Sequence, residues 1–379
     1  MLIGVVKEQT PGERRVALVP DSVPKLTGAT LEVSIQRGAG AAAFFPDELY
    51  EKAGARLAPD ARTVLTGADA LLKVQPPRDD EVSALREGAV LISFLQPASN
   101  AELIQALARH KVTAFSLELV PRISRAQGMD ALSSQAGVAG YKAVLMAANR
   151  IGKFFPMLMT AAGTVPPARV LVMGAGVAGL QAIATARRLG AVVEAYDVRP
   201  AAKDEVRSLG ATFLELPLEA QEGQGGYARE QTEDFLRRQR ELIGDRVAAS
   251  DVVITTAAVP GRRAPVLVTG EMVARMRPGS VIVDLAAETG GNCELTRAGE
   301  VVDANGVAID GTRNVPSTMP IHASRLYSSN VVNLLLILVK QGALRLDFAD
   351  EIVKGACVTH GGDIVNPQVK ASIEAAAKA

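Results

Sequence analysis

Residues 169–197 read RVLVMGAGVAGLQAIATARRLGAVVEAYD, and the order of residue types in that stretch decides the fold. An apolar run, Arg169–Met173, leads directly into Gly174-Ala175-Gly176-Val177-Ala178-Gly179. A helix-forming stretch, Ala178–Leu189, then a Gly190 stop and a second apolar run, Val192–Asp197, come next. Gly174 permits a tight turn, Gly176 lets backbone N–H groups approach a pyrophosphate, and Gly179 lets a helix pack closely on a strand. The helix N-terminus, with the turn from Gly174 through Ala175 and Val177 to Gly179, supplies the anion site. Asp197 stands 18 residues after Gly179, at the end of the second strand, where a carboxylate receives ribose hydroxyls. A lone glycine turn is a weak signal, and the plainer alternative is such a turn in an ordinary βαβ unit. Strand, turn, helix, second strand and acid together make a dinucleotide-binding fingerprint.

The acid also bears on the choice of nucleotide. A carboxylate at 197 accepts hydrogen bonds from a free ribose 2′-OH and repels a 2′-phosphate, so NAD(H) is expected over NADP(H). Arg199 argues the other way, since a guanidinium there can hold a 2′-phosphate; it can equally stack near the adenine or lie solvated.

Outward from the fingerprint, strand and helix patterns alternate. Before it, Leu2–Val6, Leu31–Ile35, Ala70–Val74, Ala89–Leu95 and Val112–Leu117 read as strands, with helices at Pro20–Leu26 and Ala101–His110. Pro121–Ser134 is polar and has no hydrophobic period, so it reads as a loop, with Ser133 or Ser134 capping a helix over Gln135–Phe155. After the fingerprint, strands are expected at Val252–Thr256, Ser280–Leu285 and Val307–Asp310, and a helix at Ile321–Gln341. The chain, 379 residues long, exceeds the roughly 250–300 residues at which one core stops growing. The expected fold is therefore α/β with two domains, each a doubly wound and mostly parallel sheet, one Rossmann and one Rossmann-like without the glycines, joined by long helices. The first would be discontinuous, 1–134 with 321–379, and the second would span 135–320. The polar segment Glu215–Arg240 is longer than ordinary connections, which suits a mobile lid or a surface insertion equally. The Ala-rich tail Ala371–Ala379 is expected to fray.

Composition narrows the function. Lys plus Arg and Asp plus Glu number 41 each, and there is no Trp, so neither charge nor stacking points to nucleic acid. Lys7 and Glu8 interrupt any secretory apolar region, and the run Val331–Val339 is far short of the ~20 residues of a membrane span. Two cysteines, Cys293 and Cys357, fit a reducing cytosol, and three scattered histidines form no metal-ligand spacing.

Other motifs carry a resemblance. Arg122-Ile-Ser-Arg-Ala-Gln127-Gly-Met-Asp130-Ala-Leu-Ser133-Ser-Gln, followed by Ala139-Gly140-Tyr141, resembles the signature loop of the NAD(H)-binding subunits of proton-translocating transhydrogenases. So do Met159-Thr-Ala-Ala-Gly163-Thr-Val-Pro-Pro167, Asp197-Val-Arg199, Gly225-Gly-Tyr227 and Asp284-Leu-Ala-Ala-Glu-Thr-Gly-Gly-Asn292, and the similarity runs from Lys7 to about Pro367. The resemblance implies that Arg122, Gln127, Asp130 and Ser133 lie beside the nicotinamide and that Tyr227, with Gly226, tips a mobile loop. It implies that Asp197, Val198 and Arg199 contact the adenosine side and that Gln239 and Ala258 contact NAD more weakly. It further implies direct hydride transfer from NADH to NADP⁺ bound on an NADP(H)-binding partner subunit, coupled to proton movement by a membrane subunit. The chain itself would be cytoplasmic, peripheral to the inner membrane through those partners, and a homodimer, the separate soluble component of a split complex. The residues agree with such a role: Arg122 and Asp130 can pair, and Gln127 and Ser133 offer donor and acceptor to a carboxamide. The plainer reading makes Ser133 a helix cap and Arg122–Asp130 a surface ion pair.

Alanine dehydrogenase resembles the same pattern. Its substrate Arg and Lys match Arg15 and Lys73, but its catalytic His falls where this chain has Gln96, and its catalytic Asp near Glu288. Reduction of a 2-oxo acid needs a proton donor poised near neutral pH, which Gln cannot be; hydride exchange between two nicotinamides needs none. A non-catalytic NAD-sensing module would explain the fingerprint but leave the Arg122–Ser133 loop without purpose.

Overall fold

Continuous apolar runs form the central strands because helices cover both faces of each sheet. The computed structural model describes residues 1–215, 233–258 and 263–376. It divides into two units, Met1–Gln135 with Ser317–Ala379, and Ala136–Pro316, each an α/β unit around one mostly parallel sheet.

In the first unit, Leu2–Val5 pairs in parallel with Glu32–Gln36 on one side and Ala70–Leu72 on the other. Arg56–Ala58 extends the first side, and Val90–Ser93 and Thr113–Ser116 the second, all parallel. The winding reverses between Leu2–Val5 and Ala70–Leu72, which makes the sheet doubly wound. The C-terminal segment adds Cys357–His360 and then Asp363–Ile364, both antiparallel, at the Thr113–Ser116 edge. Ile92 and Phe115 pack into one apolar layer with Tyr327 and Leu335, and Leu91 and Ala114 into the opposite layer with Ile104 and Leu107.

The second unit repeats the order. Arg169–Met173 lies between Val192–Tyr196 and Val252–Thr255; Thr212–Phe213 extends one side, Val281–Asp284 and Val307–Asp310 the other, and antiparallel Val301–Ala304 closes that edge. Thr212–Phe213 and Val301–Ala304 escaped the sequence reading. One is only two residues long and the other alternates exposed with half-buried side chains, so neither carries an apolar run.

Helix boundaries also differ. The long helix is Ala131–Arg150, not Gln135–Phe155. Its cap is Asp130 and not Ser133 or Ser134: the Ser133 backbone N–H donates to Asp130 Oδ1 at 2.8 Å and its hydroxyl to Oδ2 at 2.6 Å. The expected loop before it holds a 3₁₀ turn, Ser124–Met129. The later helix is Pro320–Leu338 and stops short of Gln341, because Gln341 and Gly342 (φ 52° and 74°) make a tight turn of the kind that joins Val339–Lys340 to Ala343–Leu344. Pro20–Leu26 splits into a 3₁₀ turn, Pro20–Ser22, and a helix, Val23–Gly28.

Where the first sheet reverses its winding, it buries charge. Lys73 Nζ lies 3.1 Å from Glu81 and 3.4 Å from Glu8. The Arg15 guanidinium donates to both Glu13 oxygens, at 2.8 and 2.7 Å, and to Gln135 at 2.9 Å. The Tyr327 hydroxyl donates to the Lys73 carbonyl at 2.7 Å. Burial pushes the Glu8 carboxyl up from its ordinary value even with Lys73 beside it. Burial works the same way on Glu13, but the Arg15 guanidinium outweighs it and holds that carboxyl at about 2.

An acid held at about 2 when folded and at 4.5 when unfolded gives stability that is complete above 4.5 and is lost as pH falls toward 2. Glu13→Gln removes the charge facing Arg15 and is expected to cost on the order of 3 kcal/mol at neutral pH. Urea unfolding checks this: the deficit relative to the parent should shrink as pH drops below 4.5, and a pH-independent deficit would contradict the assignment.

Candidate functional site

The fingerprint turn of the second unit sits where its sheet reverses winding, between Arg169–Met173 and Val252–Thr255, at their carboxyl ends. Its glycines are there for lack of room. Gly174 has φ +100°, and a Cβ on it would lie 2.5 Å from Thr256 Oγ1, which donates to the Gly174 carbonyl at 3.1 Å. A Cβ on Gly179 would lie 1.8 Å from the Gly174 carbonyl oxygen. One on Gly140, in the long helix, would lie 2.0 Å from the carbonyl oxygen of Ala178. Gly176, by contrast, faces open space, and the helix that starts after it, Val177–Arg188, has no side-chain cap. Open space before an uncapped helix N-terminus fits an anionic group such as a pyrophosphate, which needs those N–H donors and close backbone approach.

Asp197 directly follows the neighbouring strand, Val192–Tyr196, with its side chain 7% exposed. Its Oδ2 accepts from the Ala175 N–H at 2.7 Å, and Oδ1 from the Arg199 N–H at 2.8 Å. The Arg199 guanidinium donates to both oxygens, at 2.9 and 3.0 Å. Arg199 is thus ion-paired to Asp197 while its side chain stays 48% exposed. Burial pushes the Asp197 carboxyl up, yet the Arg199 and Ala175 donors prevail and hold it below the usual carboxylate range. Val198 and Arg199 are exposed.

The run Asp284–Asn292, one of those that carry the resemblance, supplies the far wall of the turn. Buried Asp284 accepts from Thr255, Ala286, Asn292, Cys293 and Thr296, all at 2.7–3.0 Å. Asn292, fully buried, accepts from the Ala257 N–H at 3.0 Å and donates to the Ala257 and Pro265 carbonyls, each at 2.8 Å. That amide fixes the residue next to exposed Ala258. Gly140, Thr256 and Asn292 had no sequence signal of their own, although Gly140 and Asn292 fall in runs that carry the resemblance. Gln239 lies on the helix Glu233–Ala249, and Gly226 and Tyr227, with most of the expected lid, lie outside the described residues.

In the first unit, Gln127 and Gly128 lie in the 3₁₀ turn, and the Gly128 carbonyl accepts from Asn330 at 3.0 Å and Asn333 at 2.9 Å on the helix Pro320–Leu338. Arg122 and Gln127 are exposed; Asp130 and Ser133 are half-buried. Asp130 binds Ser133 and not Arg122, which has no ion pair or side-chain hydrogen bond among the described residues; the expected Arg122–Asp130 pair is not formed. Arg125 instead pairs with Asp350, at 2.6 and 2.7 Å.

The residues matched to a dehydrogenase behave differently again. Arg15 and Lys73 are buried against Glu13, Glu8 and Glu81. Gln96 is exposed at φ +47°, its backbone N–H donating to Glu118 at 2.9 Å, and Glu288 accepts from the Asn314 N–H at 2.7 Å.

Two family models match the chain: alanine dehydrogenase/PNT, N-terminal domain, over residues 4–139, and alanine dehydrogenase/PNT, C-terminal domain, over residues 143–367. The first portion of the NAD(P) transhydrogenase subunit alpha of Rhodospirillum rubrum is 50% identical over 377 residues, 97% of this chain and 98% of its own. The crystal structure of transhydrogenase from Sinorhizobium meliloti is 47% identical with a TM-score of 0.86, covering 97% of this chain and 100% of that one. Alanine dehydrogenase of Bacillus subtilis is 32% identical over 355 residues, 91% of this chain and 87% of its own.

Two glycines one helical turn apart test the crowding at the fingerprint. Gly140→Ala pushes a methyl against a backbone carbonyl at 2.0 Å, whereas Gly137→Ala meets nothing within 4 Å. The first should weaken NADH binding roughly tenfold by displacing the anion-binding turn. The second should leave binding unchanged and raise stability by about 0.5–1 kcal/mol. Calorimetric titration and thermal melts of both variants decide, and equal affinities would show that the contact does not set the turn.

Proposed function

The chain belongs to the alanine dehydrogenase/PNT family, and from that membership we propose that it is the NAD(H)-binding subunit of a proton-translocating transhydrogenase. NADH is its substrate, the nucleotide that receives the hydride is NADP⁺ on a partner subunit, and a membrane subunit couples the exchange to proton movement. No helix among the described residues is long and apolar enough to cross a membrane.

Within the family, the observation that carries the choice is Gln96. Hydride passing between two nicotinamides turns NADH and NADP⁺ into NAD⁺ and NADPH with no proton to add or remove, so a titrating side chain is superfluous. An amino-acid dehydrogenase must move a proton, and an amide cannot. The internal pairing of Arg15 and Lys73 supports the same choice, since a substrate carboxylate would compete with Glu13, Glu8 and Glu81 for both cations. Gly174, Ala175, Gly176, Val177 and Gly179 would hold the pyrophosphate. Asp197 and Val198 would hold the adenosine side, with Arg199 beside them and Gln239, Ala258, Gly226 and Tyr227 adding contacts. Arg122, Gln127, Asp130 and Ser133 would orient the nicotinamide.

Gln127→Asn shortens the amide by one methylene and tests that division of labour. Single-turnover hydride transfer to partner-bound NADP⁺ should slow by on the order of 10²-fold, with NADH affinity nearly unchanged, because misplacement acts on the reacting geometry. A rate within about twofold of the parent, or loss of NADH binding, would contradict the orienting role. Turnover of pyruvate with NADH and ammonia at about one per second or faster would restore the dehydrogenase reading.

A homodimer belongs to the proposal. The hairpin Leu158–Thr160 with Gly163–Val165 is a two-stranded ribbon with unpaired edges, and Met157 and Met159 are 57% and 75% exposed. Met159→Asp should convert a dimer into a monomer by light scattering; a persistent dimer would place the interface elsewhere.

A further inference from the structure

Asp197 offers a ribose no vacant direction. A carboxylate has about four lone-pair sites, and four donors already meet this one. The Ala175 N–H and the guanidinium's outer nitrogen share Oδ2, at 2.7 and 3.0 Å. The Arg199 N–H and the guanidinium's inner nitrogen share Oδ1, at 2.8 and 2.9 Å. Two of these donors belong to the backbone and cannot leave without unmaking the fingerprint turn or the strand end. The guanidinium can, for its side chain is 48% exposed and hangs on flexible methylenes. We propose that Arg199 is an internal competitor for the ribose: its guanidinium occupies the carboxylate sites that the ribose hydroxyls need, and nucleotide binding exchanges the bidentate ion pair for hydroxyl hydrogen bonds. This rests on the reading of the chain as an NAD(H)-binding subunit and assigns a specificity role within it.

Two consequences have opposite signs, a combination that a simple adenine contact would not produce. The returning guanidinium drives the ribose off, so it lowers NADH affinity and speeds release. The same cation, once displaced, offsets the repulsion between Asp197 and a 2′-phosphate, so it softens discrimination against NADPH. Removing it should tighten NADH and weaken NADPH together. An arginine that merely stacked on the adenine would, when removed, weaken both.

The test is Arg199→Met, which keeps much of the side chain's length and apolar body, and Arg199→Lys, which keeps the charge but not the fork. Titration calorimetry of the full chain with NADH and with NADPH, and stopped-flow dissociation of NADH, are the readouts. Arg199→Met should bind NADH about three- to fivefold tighter, the range set by a half-exposed ion pair. Its dissociation should slow by a similar factor, because affinity changes at one site fall mainly on the off-rate. NADPH should bind more weakly, and Arg199→Lys should fall between. The NADH ratio between parent and variant should narrow as salt screens the pair. Unchanged or weaker NADH binding by Arg199→Met overturns the proposal alone. Failure of the parent chain to bind either nucleotide overturns the NAD(H) reading and the proposal with it.

Discussion

Three stretches of backbone in the second unit meet at distances that no side chain tolerates. The Ala178 carbonyl stands where a Cβ of Gly140 would be, the Gly174 carbonyl where a Cβ of Gly179 would be, and the Thr256 hydroxyl beside Gly174. Because the first two contacts are with main chain, rotamer changes cannot relieve them, and any added methyl moves an element instead. This crowding fixes the first turn of the helix Val177–Arg188 against both a strand and the long helix Ala131–Arg150. The N–H groups of that turn are oriented before any ligand arrives, and Asp197 is placed in turn by the Ala175 N–H. Preorganisation here comes from repulsion as much as from attraction.

The sequence revealed most of this framework because the framework is written in extremes of residue type. Apolar runs such as Arg169–Met173 and Val90–Ser93 have no alternation to blur them, and glycines at fixed offsets mark a turn that nothing else can make. What stayed hidden depends on partners distant in the chain. Asp130 and Ser133 are both good capping residues, and only the bonds between them show which one caps. Thr212–Phe213 becomes a strand because Val192–Tyr196 already offers an edge, not from any preference of two residues. Asn292 is an ordinary polar letter until it lies across Ala257 and Pro265. Arg199 was readable as a nucleotide contact, but its hold on Asp197 was not.

The two sheets share a strand order and differ in what fills the place where winding reverses. In the second unit that place is open, with glycine facing space and donors pointing outward. In the first it is filled: two cations, Arg15 and Lys73, are packed against three carboxyls, Glu8, Glu13 and Glu81, and Tyr327 closes over the Lys73 carbonyl. Buried ions contribute little net stability against apolar residues of the same size, but removing one partner is costly. The Ser317 hydroxyl donates to Glu13 and the Tyr327 hydroxyl to the Lys73 carbonyl, so the segment that arrives from the far end of the chain is tied to the N-terminal strands at this cluster. The discontinuous unit is closed partly by charge.

The side-chain amide of Asn292 sets a limit on the molecule's chemical lifetime. It satisfies an N–H and two carbonyls at once, and it does so fully buried. Hydrolytic deamidation would replace its two N–H donors with a carboxylate oxygen and set negative charge against the Ala257 and Pro265 carbonyls in a dry site. The same event would place a second carboxylate near Asp284, whose oxygens already receive the Asn292 and Cys293 N–H groups. Burial and those held N–H groups hinder the ring closure by which asparagine ages. The wall of the site is therefore protected from ageing for as long as the loop stays shut, and heating that opens it starts an irreversible clock.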